Sequence, residues 1–158
     1  LPISQFKASR YSGKDEVMPE IKPKRPTATK EMILAAATAV AEKIGADAAT
    51  IAEHYQPGMD GYELAKELDK YAYWDTSRDD MEALDEVDSL VDSAVKKAVK
   101  AWFIDNDIQP PLPIGTQIKE GLITGVSDYS PAAYLVKETG CTDDSRHRLI
   151  RFENAIAA

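Results

Sequence analysis

Three prolines, Pro110, Pro111 and Pro113, stand within four residues and divide the chain into two kinds of sequence. Proline lacks an amide donor and biases the preceding residue toward extended backbone, so neither a helix nor a central strand runs through such a stretch. Before it, apolar residues recur every three or four positions, as on one face of a helix. After it, short β-like runs alternate with turn residues. Helices first and strands second imply an α+β fold. The expectation is a single domain over 29–158, with a helical body of about four helices at 29–108 and a three-stranded antiparallel meander at 114–154.

The first helix is expected over Lys30–Ile44, capped by Thr27 or Thr29, with Ile33, Ala36 or Ala37, Val40 and Ile44 on one stripe and Gly45 as the stop. A short second helix spans Asp47 to Tyr55 and ends at Pro57-Gly58. The third starts at Asp60, an N-cap, and reaches about Tyr73 with Leu64 and Leu68 inward. The fourth covers about Asp79 to Phe103. Its apolar positions Leu84, Val87, Val91, Ala94, Ala98 and Ala101 repeat as a bundle seam, widened by Val95, Val99 and Trp102. Trp74 and Tyr71–Tyr73 are expected to pack where helices three and four meet. The expected strands are Thr116–Val126, with Gly121 and Gly125 as bulge or bend points, then Ala133–Lys137 and His147–Phe152.

Residues 1–28 have four prolines and no apolar period, which suggests a flexible basic arm with Phe6 and Tyr11 as its anchors. The first residues lack the apolar core of a secretory signal. No apolar run approaches the roughly 18 residues of a membrane span. The lone Cys141 excludes a disulfide framework and fits a reducing cytoplasm.

Charge is strongly segregated along the chain. Residues 1–30 hold seven bases and three acids, residues 31–109 seven bases and eighteen acids, and residues 110–158 five bases and six acids. Within the middle part, Asp79, Asp80, Glu82, Asp85, Glu86, Asp88 and Asp92 follow one another without an intervening base. Like charges at helical spacing repel, so such a run belongs on a solvated face. Displayed outward, it is a docking surface for a protein with a basic surface. In its concrete form it imitates nucleic-acid phosphates and inhibits a host DNA- or RNA-handling or defence enzyme. The bundle seam also offers a face for self-association. The near balance of charge after residue 110 argues against direct nucleic-acid binding, although Lys119, Lys137, Arg146, Arg148 and Arg151, with Tyr129 and Tyr134 for stacking, are the residues such a sheet would use.

An enzymatic alternative rests on paired carboxylates. Glu63-Leu-Ala-Lys-Glu67 places two of them one turn apart, and Glu82-Ala-Leu-Asp85 places two more on the next helix. Such pairs on antiparallel helices can hold Mg²⁺. This arrangement resembles the all-α nucleoside triphosphate pyrophosphatases of the MazG and dimeric dUTPase type, and that resemblance would assign Glu63, Glu67, Glu82 and Asp85 as metal ligands. The chain departs from the pattern in that Glu63 lacks an adjacent acid and no phosphate-holding bases lie nearby. Elsewhere, His54 and His147 lie in different segments without a third ligand at zinc-site spacing. Cys141 has no His partner, and there is no glycine-rich phosphate loop, so no cofactor is expected.

Two segments, Asp60-Gly-Tyr-Glu-Leu-Ala-Lys-Glu-Leu68 and Pro113-Ile-Gly-Thr through Arg148-Leu-Ile-Arg-Phe-Glu153, resemble small accessory proteins of tailed phages and prophages. The resemblance implies a non-enzymatic binding role in the cytoplasm of a bacterial host and carries no catalytic residues.

Overall fold

The computed structural model describes residues 21–143 and 145–158. Among them are five α-helices and a four-stranded antiparallel sheet, an α+β architecture as the sequence order implied. In place of one body over 29–158, the chain divides into two compact units, a helical unit of residues 26–101 and a sheet unit of residues 21–25 with 102–158. No described helix is long and apolar enough to cross a membrane.

The helical unit follows its local signals closely. Helix α1 (Lys30–Ile44) begins where the Thr29 hydroxyl accepts the Met32 amide and ends at Gly45 in the left-handed region, φ 64°. Helix α2 (Ala48–His54) is capped by Asp47, and α3 (Gly61–Tyr71) by a reciprocal box of Asp60 and Glu63. The expected fourth helix is in fact two, α4 (Arg78–Leu84) and α5 (Glu86–Asp105), separated at Asp85. Ala36, Ala37, Val40, Ile51, Leu64, Leu68, Leu84, Val87 and Val91 are among the residues of its core. Beyond Val91 the buried stripe of α5 follows Val99 and Trp102, whereas Ala101 of the expected seam is exposed. Steps of four residues track the 3.6 period better there than the strict seam repeat does.

In the sheet unit the strands run in the order β1 (Gln117–Ile118), β2 (Gly121–Val126), β3 (Ala133–Glu138) and β4 (Arg148–Arg151). The stretch read as one strand over Thr116–Val126 is a tight hairpin, because the chain reverses at Lys119-Glu120 and pairs Ile118 with Gly121. At Gly121 a side chain has no room: a Cβ would lie 2.0 Å from the Lys137 carbonyl oxygen. The bulge falls between Ile123 and Gly125, next to the glycine expected to mark it. After β4 the chain makes a 3-10 turn (Phe152–Asn154) and returns to β1, where Ala157 bridges Ile118 and the Ala158 amide donates to the Gln117 carbonyl at 2.9 Å. The outer edge of β1 is thereby covered, which blunts a template for edge pairing.

The last described residues of the expected arm are fixed in this unit, while Phe6 and Tyr11 lie outside the described residues. Arg25 Nε and Nη2 donate to the two Glu153 carboxylate oxygens at 2.8 Å each, and its remaining donors reach the carbonyls of Pro131 (3.0 Å) and Ala132 (2.9 Å). The guanidinium lies 5.0 Å from the centroid of the Trp102 ring, whose Nε1 donates to the Pro23 carbonyl at 2.8 Å. With its side chain 9% exposed, Arg25 is a desolvated cation satisfied on every side.

Burial pushes the Glu153 carboxyl pKa up, but the hydrogen bonds and charge of Arg25 outweigh this, and the net shift is downward. A depressed carboxylate pKa contributes stability that is present above the unfolded value and lost as pH falls through the folded one. Acid should therefore weaken the sheet unit below about pH 4.5, measured by near-ultraviolet circular dichroism of its Trp102 and Tyr134. Arg25→Ala should cost about 2–3 kcal/mol in urea unfolding and remove much of that acid dependence, and Arg25→Lys should not restore it.

Candidate functional site: the acidic helices

All seven carboxylates of the acidic run lie in the helical unit, and the structure gives them different tasks. Asp80 closes the capping box at the start of α4, accepting the Ser77 amide at 3.0 Å. Asp85 sits at the break between α4 and α5, and its Oδ1 accepts the Gly61 amide at 2.7 Å. Asp88 accepts the Gly58 amide at 2.8 Å and also the Tyr55 hydroxyl. Burial, followed by that hydrogen bond and the negative charge of Asp88, pushes the Tyr55 pKa up and keeps the donor protonated. Asp85 and Asp88 thus hold the α2–α3 turn by its backbone.

The remaining four point into solvent. Glu86 pairs with Lys43 at 2.7 Å, Asp92 with Lys96 at 2.9 Å, and Glu82 with Arg78 at 3.5 Å, all with exposed side chains. Asp79 is exposed and has no ion pair. The expectation of seven unneutralised outward carboxylates is therefore corrected: Asp80, Asp85 and Asp88 build the fold, and Asp79, Glu82, Glu86 and Asp92 form its charged exterior. Exposed pairs of this kind are worth about 0.2–1 kcal/mol, so those carboxylates can exchange an internal partner for an external one at little cost.

Gly61 explains why the long helix breaks at Asp85. A Cβ on Gly61 would lie 2.3 Å from the Met81 carbonyl oxygen and 2.7 Å from the Asp85 amide nitrogen. The first turn of α3 therefore rests directly on the backbone of the α4–α5 junction.

The pyrophosphatase ligands do not assemble. Glu63 Oε1 accepts the Asp60 amide at 3.4 Å in the capping box, Glu82 faces Arg78, and Asp85 is bound to Gly61. Among the described residues no group of three or more His, Cys, Asp or Glu side chains is placed to hold a metal ion. His54 stacks on Tyr71, with ring centroids 6.4 Å apart and planes within 5°.

Aromatic placement differs from expectation in both units. Tyr71 and Tyr73 are 54% and 90% exposed, and Tyr73 holds a left-handed backbone, φ 60°, where a non-glycine residue is strained. The core packing expected of these two tyrosines is corrected; only Trp74 and Ala72 pack against the helical core. The lack of an apolar period after Leu68 was the available signal. In the sheet unit Tyr129 is 96% exposed, but Tyr134 is buried against Phe152 and its hydroxyl accepts the Leu112 amide at 2.8 Å, so it cannot stack on a base. Arg146, His147 and Arg148 line a shallow cleft of about 480 Å³ with Glu138 and Cys141.

Comparison with family models, with curated proteins and with solved structures gave no match for this chain.

Substitutions at the turn should act on folding. Asp85→Ala leaves the Gly61 amide without its acceptor and Asp88→Ala frees both Tyr55 and Gly58, so each should cost about 1–3 kcal/mol in urea unfolding. Gly61→Ala forces backbone apart and should cost about 3 kcal/mol or more.

Proposed function

We propose that this is a non-enzymatic accessory protein of a phage or its bacterial host that binds the cationic surface of another protein through its helical unit. The observation that carries this reading is the concentration of charge: residues 26–101 hold sixteen Asp and Glu against eight Lys and Arg, a net of -8 equal to that of the whole chain. A surface of that sign attracts basic surfaces, orients their approach and weakens as salt rises. Proteins that handle nucleic acids carry such surfaces for phosphate rows, and they are the partner class the proposal names. Asp79, Glu82, Glu86 and Asp92 supply the contacts, since they extend into water and are not needed to close the α2–α3 turn. Tyr73, exposed in the same unit, adds a flat ring on which an arginine can stack.

The test uses host proteins that elute from heparin, a polyanion, as the pool of phosphate-binding partners. The immobilised chain should retain a subset of them, release it as salt rises, and lose it to competing duplex DNA. Asp79→Lys, Glu82→Lys and Asp92→Lys combined should abolish retention, with the far-ultraviolet circular dichroism spectrum unchanged and stability altered by no more than about 1–2 kcal/mol. Retention at full strength by this triple variant, or retention insensitive to salt and DNA, contradicts the proposal.

A further inference from the structure

Helices α1 and α5 leave a groove of about 440 Å³ open on the helical unit, floored by Ala35, Ala36 and Ala39 of α1 and by Leu90 and Ala94 of α5. Beside it stand two exposed large side chains, Leu34 at 47% and Leu90 at 41%. Hollow and projection thus occur in one patch, as an interface between identical surfaces requires.

The charges around the groove are polarised along it. The pair Lys43–Glu86 joins the end of α1 to the start of α5, so the two helices run antiparallel. At that end lie Glu42, Asp85 and Glu86 with Lys43; at the other lie Lys97 and Lys100 of α5 with Lys30 and Glu31 of α1. Glu42, Lys97 and Lys100 are exposed and form no ion pair among the described residues. One end of the groove is therefore acidic and the other basic.

We infer that this face binds a second copy of the same chain through a two-fold axis crossing the groove. A two-fold axis turns each acidic end onto the basic end of the other copy. It lays α1 of one copy over α5 of the other and brings Glu42 of one against Lys97 of the other, twice per dimer. Leu34 and Leu90 of each copy then enter the alanine floor opposite, in the manner of small-against-large helix packing. A parallel pairing of the same faces would set like charges together, so the charge pattern selects one orientation. The acidic exterior of α4, with Asp79 and Glu82, is not used by this interface.

The full-length chain in micromolar solution should sediment at twice the mass of one chain. Ala39→Glu, at an exposed position, should give a monomer with unchanged circular dichroism. Lys97→Glu alone and Glu42→Lys alone should each weaken the dimer about tenfold or more, since either sets like charges together twice. The double variant Lys97→Glu with Glu42→Lys should regain the affinity of the unaltered chain, because the axis restores both pairs. A monomeric unaltered chain, a dimer indifferent to Ala39→Glu, or single and double charge variants of equal strength overturns the inference. If Ala39→Glu fails to fold, the charge exchange at the two surface positions decides alone.

Discussion

Two carboxylates turned onto backbone amides set the shape of the helical unit. Asp85 and Asp88 reach from the α4–α5 junction to Gly61 and Gly58, and these bonds fix where α3 starts relative to the helices that follow. A buried amide without a partner costs as much as a lost hydrogen bond or more. Here the acceptors are charged, which makes the bonds shorter and stronger. Gly61 is part of the same constraint, because only a residue without a side chain lets the α3 backbone come this close. The acidic run is then a single stretch of sequence with two uses, alternate members closing the fold and charging its exterior.

The sheet unit has its own anchor. Arg25 lies far from the strands in sequence, yet it satisfies the carbonyls before β3 and the carboxylate after β4 at once. A guanidinium suits that task because its five donors form a rigid fork. The four short strands gain a ligand for their loops, and the returning C-terminus covers the edge that would otherwise be open.

Much of the fold was legible in residue order. Thr29, Gly45, Asp47 and Asp60 marked helix boundaries to within a residue, since caps act through local hydrogen bonds that sequence displays directly. The break at Asp85 was not legible, because its cause is the approach of Gly61, twenty-four residues away. Nor was the Lys119-Glu120 reversal, which lacks the Asn-Gly or Gly-rich signal of a two-residue hairpin. The role of Arg25 was hidden for a similar reason: a lone arginine in a proline-rich stretch looks like part of a solvated basic arm. For the candidate site, composition located the charged surface but could not tell which carboxylates were already committed to backbone amides, a distinction that exists only in three dimensions.

Amide hydrogen exchange at Gly58 and Gly61 tests this division most directly, since protection reports whether a bond opens locally or only with the whole unit. Both amides should exchange as slowly as those in the centre of α3, and stay slow when Asp79, Glu82 and Asp92 are all replaced by lysine. Exchange of either glycine at the rate of an exposed amide while the helices remain folded would contradict the account, for then Asp85 and Asp88 would be surface charges like the rest.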